Sequence, residues 1–352
     1  MMAEMTGQRV QPHPPATHDG PGPGGGGTPA IEVQGLVKRY GDLEAVQGVS
    51  FTVAPGETFG FLGPNGAGKS TTISMLCTLT APSDGWARVA GADVVAERST
   101  VRSHIGLVFQ DTTLDDYLTA AENLRFHAEL YGVPRASVDL RLGRVLEMVD
   151  LSDRRDSLVR TFSGGMKRRL EIARGLLHSP RVLFLDEPTV GLDPQTRTHI
   201  WGYINSLKAQ EAITMFLTTH YMDEAEYCDR IAIIDHGRLV AVDTPEALKA
   251  SVGQDRVELV TDDNAAAIEA LRDRFDQEAV VSEGAVTVYV PNGETFVPQV
   301  FAGLGIPIGS VRVARPTLDD VFMAYTGKTI RDAEASTGER LRSNPFMRAR
   351  RR

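Results

Sequence analysis

The sequence predicts an α/β protein in which a mostly parallel sheet with flanking helices is joined to a smaller α+β domain. A short apolar run, Thr58–Leu62, leads into a glycine-rich loop and then into a helix-compatible segment. Further apolar runs alternate with helical segments between residues 105 and 219, as in sheets whose parallel strands are joined by helices. After about residue 254 the order is strand, helix, two strands, helix, strand and helix, which is typical of a small α+β sandwich.

Composition and charge limit the class of protein. The chain has 352 residues, enough for about two domains, and 42% of them are hydrophobic, as in soluble globular proteins. The net charge of −9 argues against a general nucleic-acid binder, which needs a basic surface. No run approaches the roughly 20 apolar residues of a membrane helix, and the first residues lack a signal-sequence pattern. Cys77 and Cys228 match no metal-ligand spacing, so we expect reduced thiols.

The amino-acid composition of the chain changes near residue 30. Residues 1–29 are rich in Gly and Pro and are expected to be disordered, because they cannot bury enough apolar surface. Helical periodicity without strand signals between about 111 and 178 predicts a helical subdomain inserted into the sheet. The strands predicted from the alternating and apolar runs are 31–33, 49–53, 58–62, 87–90, 105–109, 182–185, 214–218, 230–234 and 238–242.

The last third of the chain predicts a second domain and a polar tail. A helix is expected to begin at Thr244-Pro245-Glu246, which supplies a cap and a first-turn proline. We therefore expect a main domain at 30–250, a small α+β domain at 251–326 and a basic tail at 327–352. The last five residues include four arginines, which fits either a solvated tail or a membrane-surface anchor. The strands predicted in the small domain are 257–260, 279–282, 285–290 and 310–313.

The glycine-rich loop at residues 63–71 has the spacing of a P-loop: Gly, four residues, then Gly-Lys-Ser. Glycines let the backbone N–H groups point inward, and the helix beginning at Lys69 adds its positive end to the same anion site. The Lys69 ammonium can reach the β- and γ-phosphates of a nucleotide, and the Ser70 hydroxyl can bind Mg²⁺. The sequence therefore predicts a nucleoside triphosphate site.

Two carboxylates end a buried strand further along the chain. Asp186 and Glu187 follow the apolar run 182–185, where one carboxylate can hold Mg²⁺ and the other can orient the attacking water. The alternative is a polar strand end before the turn at Pro188.

A third motif, Phe162-Ser163-Gly164-Gly165-Met166, opens a predicted helix. Ser163 is a good N-cap, but two glycines in a first turn weaken a helix, so the bare backbone suggests close approach to an anion. The predicted apolar face of this helix consists of Met166, Leu170, Ala173 and Leu177. The side chains expected towards solvent or a phosphate are Lys167, Arg168, Arg169 and Arg174.

These motifs, in this order over about residues 31–248, resemble those of the ATP-binding subunits of ABC transporters. The resemblance implies an α/β P-loop ATPase domain with a parallel-core sheet, an antiparallel β subdomain and an inserted helical subdomain, followed by the small α+β domain. It implies catalytic roles for Glu187 and His220, and metal binding by Ser70, Gln110 and Asp186. The nucleotide-binding residues that it implies are Tyr40, Gly63, Pro64, Asn65, Gly66, Ala67, Gly68, Lys69, Ser70, Thr71, Gln110, Ser163, Gly164, Gly165 and Asp193.

Several of these positions also have simpler interpretations. Tyr40, which would stack on adenine, is also a strand-end aromatic, and Gln110 is also a strand terminus. Asp193 precedes Pro194 and fits a helix N-cap. The signature has Met166 where the common family form has Gln, a departure that we expect to be tolerated because the phosphate contacts come from Ser163 and backbone N–H groups.

The resemblance also implies cofactors and partners. ATP and Mg²⁺ would be bound in a head-to-tail homodimer, in which the P-loop of one subunit faces the signature loop of the other. Residues 110–124, 163–170 and 316–322 are similar to the daunorubicin-resistance type of drug-exporter ATPases. A separate multi-pass permease would then hold the chain at the cytoplasmic side of the membrane, and no nucleic-acid partner is expected.

Two alternatives share the same chemistry. A soluble ABC ATPase acting on ribosomes or nucleic acid usually carries two ATPase domains or a long coiled-coil insertion, and this sequence shows neither. A subunit that serves an importer, or an exporter of lipid or polysaccharide, stays open at this stage.

Overall fold

The computed structural model describes residues 28–211, 213–282 and 284–327. The predicted leader up to residue 27 and the predicted tail from residue 328 lie outside these residues. Contacts divide the chain after Pro245 into two compact units, each of which is described by itself. No helix among the described residues is both long enough and apolar enough to cross a membrane.

A six-stranded, mostly parallel sheet forms the centre of the first unit. Its strand order is β10-β9-β3-β8-β7-β6, and only β10 runs antiparallel to its neighbour. The predicted parallel core is therefore confirmed. The strands are β3 (Thr58–Leu62), β6 (Ile105–Val108), β7 (Val182–Asp186), β8 (Thr214–Thr219), β9 (Arg230–Asp235) and β10 (Arg238–Asp243).

A second, antiparallel sheet with the order β2-β1-β4-β5 shares its core with the parallel sheet. Phe51 of the antiparallel sheet stacks on Phe59 with ring centroids 5.4 Å apart and lies 5.9 Å from Phe216. Cys77 and Cys228 are both buried, free thiols. The strands are β1 (Ile31–Tyr40), β2 (Leu43–Val53), β4 (Asp84–Val89) and β5 (Ala92–Asp93).

Helices flank the sheets, and three of them fill the insertion between β6 and β7, as predicted. The first of these begins at Ala120, where Thr119 and Glu122 form a capping box. The helices of the first unit are α1 (Lys69–Leu76), α2 (Arg98–His104), α3 (Ala120–Leu130), α4 (Arg135–Met148), α5 (Gly164–Leu176), α6 (Pro194–Glu211) and α7 (Met222–Ala225).

The second unit is the predicted α+β sandwich, with an antiparallel sheet in the order β12-β13-β11-β14. Alternate residues such as Val257, Leu259 and Val288 are buried in one core with Leu271 and Phe296 of the helices. Its elements are α8 (Pro245–Val252), β11 (Asp255–Thr261), α9 (Asn264–Phe275), β12 (Ala279–Ser282), β13 (Ala285–Val290), α10 (Gly293–Gly303), β14 (Ile308–Ala314) and α11 (Leu318–Thr326).

Candidate active site

The glycine-rich loop joins the end of β3 to the start of α1, as predicted. Gly66 and Gly68 have φ of +82° and +109°, in the region that L side chains rarely adopt. A Cβ atom on Gly68 would lie 2.6 Å from the carbonyl oxygen of Ala45, and one on Gly63 would lie 2.3 Å from that of Ile234. The curl of this loop therefore depends on glycine at each of these positions.

Lys69, the first residue of α1, is buried against this loop and is only 4% exposed. Its ammonium Nζ donates to the carbonyl oxygen of Gly63 at 2.6 Å. The same Nζ lies 3.1 Å from Oε1 of Glu187, which stands at the end of β7. The loop and the end of β7 thus meet through a buried ion pair.

The ends of β7 and β8 are joined by Thr218, which sequence reasoning did not assign to the site. Its hydroxyl donates to Oδ1 of Asp186 at 2.6 Å and accepts from the backbone N–H of Glu187 at 3.0 Å. Ser70 also donates to Oδ1 of Asp186, at 3.1 Å. The signal available in the sequence was the pair Thr218-Thr219 that ends the strand before His220.

The carboxylate of Glu187 lies between two nitrogen groups. Its Oε2 is 3.3 Å from Nδ1 of His220, and its Oε1 faces Lys69. Burial alone would raise the pKa of Glu187, but His220 and Lys69 outweigh it and lower this pKa below the usual glutamate value. Glu187 is therefore a carboxylate at neutral pH, and its backbone has φ of +46°, in the left-handed region.

The signature motif lies at the start of α5, with Ser163 as the predicted N-cap. The Ser163 hydroxyl accepts from the backbone N–H of Met166 at 3.3 Å, and both Ser163 and Gly164 are exposed. The second glycine has a steric reason that the sequence did not reveal. A Cβ atom on Gly165 would lie 2.5 Å from Cγ2 of Thr196 on α6.

The prediction that Arg168 and Arg174 point towards solvent or a phosphate is wrong. They are 6% and 5% exposed, respectively. Arg168 donates to backbone carbonyls at the strand ends, and Arg174 donates to the carbonyl of Thr113 at 3.2 Å. The buried carboxylate of Glu171 lies beside both, so charge and hydrogen-bonding capacity are satisfied inside the protein.

The remaining predicted residues lie near the edge of the site. Tyr40, at the end of β1, is half exposed, with Nζ of Lys38 at 5.1 Å from its ring centroid. Gln110 is exposed just beyond β6, which pairs in parallel with β7. Asp193 accepts from the backbone N–H of Thr196 at 3.0 Å, which confirms its N-cap geometry.

The structure therefore gathers five of the predicted residues into one cluster at the carboxyl edge of the parallel sheet: Lys69, Ser70, Asp186, Glu187 and His220. Among the described residues, the contacts that join this cluster include neither Ser163 nor Gly164. The cluster combines a buried ammonium, hydroxyl and carboxylate oxygens and an ionised glutamate, which are the kinds of group that can act in hydrolysis of a phosphoanhydride.

The donor set suits a nucleotide-bound Mg²⁺. Ser70 and Asp186 offer the hard oxygen atoms that Mg²⁺ prefers. No group of three or more His, Cys, Asp and Glu side chains forms a metal cage in the part of the chain that the structure describes. A metal bound here would need further ligands from substrate phosphates, which is the usual arrangement for Mg²⁺.

Two family profiles match the chain. The profile described as "ABC transporter" covers residues 46–190, and the one described as "ATP-binding protein DrrA1-3-like, C-terminal domain" covers residues 244–326.

Several curated relatives match nearly end to end. The Nod factor export ATP-binding protein I of Ralstonia nicotianae is 40% identical, with 89% of this chain and 98% of the relative covered. The daunorubicin/doxorubicin resistance ATP-binding protein DrrA of Streptomyces peucetius is 40% identical, with 85% and 93% covered. The linearmycin resistance ATP-binding protein LnrL of Bacillus subtilis is 38% identical, with 86% and 100% covered.

Solved structures agree with these relatives. The cbiO1 subunit of the Clostridium perfringens ABC transporter complex cbiONQ has a TM-score of 0.60 and 27% identity, covering 70% of this chain and 96% of that one. The dimeric bacterial ABC transporter cassette MJ0796 has a TM-score of 0.55 and 26% identity, covering 61% and 98%. The chain therefore belongs to the ATP-hydrolysing, ATP-binding subunits of ABC transporters, which confirms the resemblance in its motifs.

Proposed function

We propose that this chain hydrolyses ATP to power the export of a drug-like or lipophilic compound through a separate membrane permease. The observation that carries the ATPase role is the buried cluster in which Lys69 and His220 flank the carboxylate of Glu187. Export is supported by relatives named for export or drug resistance that match the chain over both units. The match at residues 244–326, to a domain named after DrrA proteins, adds to this support.

Ser70 and Asp186 would hold Mg²⁺, with Gln110 as a further ligand. When bound, Mg²⁺ supplies charge neutralisation for the β- and γ-phosphates. The backbone of residues 63–68 and the Lys69 ammonium would bind the same phosphates, and Thr71 would continue the anion site into α1. Thr218 fixes Asp186 by donating to its Oδ1 at 2.6 Å, so this oxygen keeps one position.

Glu187 would orient the attacking water and accept its proton. The lowered pKa keeps this carboxylate ionised at neutral pH, so it is ready to act as a base. His220, with Nδ1 at 3.3 Å from the Glu187 carboxylate, orients that group. These roles need no movement of the strand ends, because β7 and β8 are paired up to Asp186 and Thr218.

We infer further that the working form is a head-to-tail homodimer. Ser163 and Gly164 are exposed at the N-terminus of the 13-residue helix α5, where backbone N–H groups favour an anion. In the homodimer they would bind the nucleotide held by the partner subunit. Asp193 would lie at the same interface, and Tyr40 would stack on the adenine.

A permease would dock on the helical subdomain and place the chain at the cytoplasmic face of the membrane. Support comes from large apolar side chains exposed there: Tyr117 is 80% exposed, Phe126 57% and Leu130 64%. Large exposed apolar side chains of this kind are common at protein interfaces. The small domain, which we place at 251–326, would contribute to packing or to permease assembly.

The substitution Glu187→Gln tests this proposal. It removes the base but keeps the size of the side chain, so ATP binding should persist, turnover should fall by at least about 100-fold and ATP should trap a dimer. Phosphate release and size-exclusion chromatography with MgATP measure these outcomes. The matched control is Glu129→Gln, an exposed residue of α3 that should behave as wild type. A Glu187→Gln protein that hydrolyses ATP at the wild-type rate, or that stays monomeric with ATP, would contradict the proposal.

The export step requires the permease. Co-expression with a multi-span protein from the same genome should produce ATP-dependent efflux of an anthracycline, and Glu187→Gln should abolish it. Uptake instead of efflux, or efflux that persists with the Glu187→Gln subunit, would show that the chain does not power export.

A further inference from the structure

The helix that begins with the signature motif carries three buried charged side chains on one face. Arg168, Glu171 and Arg174 follow one another at spacings of three residues, which places them along the same side of α5. Each is no more than 6% exposed. Buried charges are costly unless they are paired and hydrogen-bonded, so this row needs partners inside the protein.

Arg168 donates hydrogen bonds to backbone carbonyl groups around the catalytic carboxylate. Its guanidinium donates to the carbonyl oxygens of Asp186 and Glu187 at 3.2 Å each, and of Pro188 at 2.5 Å. It also donates to the carbonyl oxygen of Phe109, the residue before Gln110. One side chain of α5 therefore binds four backbone acceptors, three of which are consecutive residues that include Glu187.

Glu171 and Arg174 extend this connection to the segment that follows Gln110. The backbone N–H of Thr113 donates to Oε1 of Glu171 at 2.8 Å, and Arg174 donates to the carbonyl oxygen of Thr113 at 3.2 Å. Glu171 also pairs with Arg168 at 3.1 Å. Segment 109–113 is thus bonded to α5 at both ends.

We infer that Arg168 is a positioning residue for Glu187. It links α5 and segment 109–113 to the backbone of Glu187, so a movement of either element would change the position of the catalytic carboxylate. This inference rests on the proposed role of Glu187 as the base. Glu187 has φ of +46°, a conformation that is unfavourable for residues with a side chain and has to be imposed by its surroundings. Arg168 binds its carbonyl and the carbonyls on both sides, so it is placed to impose that conformation.

The consequence is specific to catalysis. Without Arg168, the backbone at residues 186–188 relaxes and the Glu187 carboxylate moves away from Lys69 and His220. Nucleotide binding is spared, because the hydrogen bonds of loop 63–68 run to Thr219, Gly237 and Lys69 rather than to Arg168. A displacement of about 1 Å at a reacting group is enough to lower a rate by about 100-fold.

The experiment compares Arg168→Gln and Arg168→Lys with wild type. For Arg168→Gln, kcat should fall by about 10- to 100-fold per folded molecule, while the Kd for ATP changes by less than about twofold. Arg168→Lys keeps the charge and reaches fewer carbonyls, so its kcat should be intermediate.

The matched control is Arg141→Gln. Arg141 also donates to a backbone carbonyl of the same subdomain, that of Leu177 at 3.3 Å, but it lies outside the site. This variant should keep both kcat and Kd. If Arg168→Gln does not fold, the same comparison is made with Arg168→Lys, whose kcat should fall while its Kd for ATP stays within about twofold of wild type.

Two further measurements separate this inference from the proposed function. Glu187→Gln alone tests the base, whatever Arg168 does. The double variant Arg168→Gln with Glu187→Gln should still form the ATP-bound dimer, because Arg168 acts on Glu187 and not on the nucleotide. An Arg168→Gln protein with wild-type kcat, one that loses ATP affinity in step with kcat, or a double variant that no longer dimerises would each overturn the role given to Arg168.

Discussion

The two parts of the candidate site differ in how they are held. Lys69, Asp186 and Glu187 are buried. Lys69 lies 3.1 Å from Glu187, and Thr218 bonds to both Asp186 and the backbone N–H of Glu187 at 3.0 Å or less. The signature residues Ser163 and Gly164 are exposed, and the hydroxyl of Ser163 caps its own helix. The first part is organised within one chain, whereas the second presents an anion-binding helix end outward.

Because of this difference, we expect the two parts to control different steps. Preorganised, desolvated groups act strongly because they need no rearrangement during the reaction. An exposed helix N-terminus gains its full electrostatic effect only when a second surface covers it and excludes water. Substitutions in the buried part should therefore affect binding and chemistry in one subunit, and substitutions in the exposed part should affect assembly.

The largest contrast is expected between Lys69→Ala and Ser163→Arg. Removing the Lys69 ammonium should weaken ATP binding by a monomer by about 10- to 100-fold, because a charged hydrogen-bond donor to the phosphates is lost. Ser163→Arg should leave that affinity unchanged and reduce turnover by about 100-fold, because a bulky side chain blocks the exposed helix end. Fluorescent-nucleotide titration of a dilute monomer and steady-state kinetics measure the two effects. Equal losses of affinity in both variants would remove the distinction between the two parts.

A smaller effect is expected at Thr218, which belongs to the buried part. Thr218→Val keeps the shape but leaves the N–H of Glu187 without its acceptor, and Asp186 keeps only the donor hydroxyl of Ser70. An unsatisfied buried group costs about 1–3 kcal/mol, so kcat should fall by about tenfold. The control Thr198→Val changes an exposed threonine of α6 and should keep the wild-type rate. A wild-type kcat in Thr218→Val would show that this hydroxyl does not organise the cluster.

The pH dependence sharpens the role of the ion pair. His220 and Lys69 lower the pKa of Glu187 against the effect of burial. His220→Gln should raise this pKa, so the acid limb of kcat should move to higher pH. In wild type the ionised Glu187 stabilises the fold above its unfolded pKa of about 4.3, and this contribution is lost as the pH falls through the lowered pKa. The control His199→Gln alters an exposed histidine and should leave the acid limb unchanged.

The smallest effect is expected where the exposed part meets α6. Gly165→Ala places a Cβ 2.5 Å from Cγ2 of Thr196, which should destabilise the domain by about 1 kcal/mol after the gain in helix propensity. Thr196→Ser removes that Cγ2 and keeps the hydroxyl that donates to Asp193. The double variant should therefore recover stability in thermal unfolding. If Gly165→Ala is as stable as wild type, the glycine is required for its bare backbone alone.

Much of the fold could be predicted from the sequence, because the local apolar patterns and turn residues agree with the elements that the fold contains. The predicted strands and the helical insertion follow from apolar periodicity, and Lys69 begins α1 where the loop pattern ends. The C-terminal sandwich was equally clear from its order of strands and helices. The burial of Arg168 was not readable, because its partners are backbone carbonyls brought near by tertiary packing. For the same reason, the sequence near Gly165 could not predict that Thr196 lies too close to admit a side chain at this position.

The two cysteines open a way to follow the proposed assembly. Cys77 and Cys228 are buried, and burial raises the pKa of each thiol. Little reactive thiolate is therefore available at either position. A thiol probe should therefore react selectively with a cysteine introduced at an exposed position such as Arg160, beside the signature loop. The natural chain can carry a single spectroscopic label without removal of its own cysteines, and the distance between labels on two copies would report the closing of the nucleotide sandwich directly.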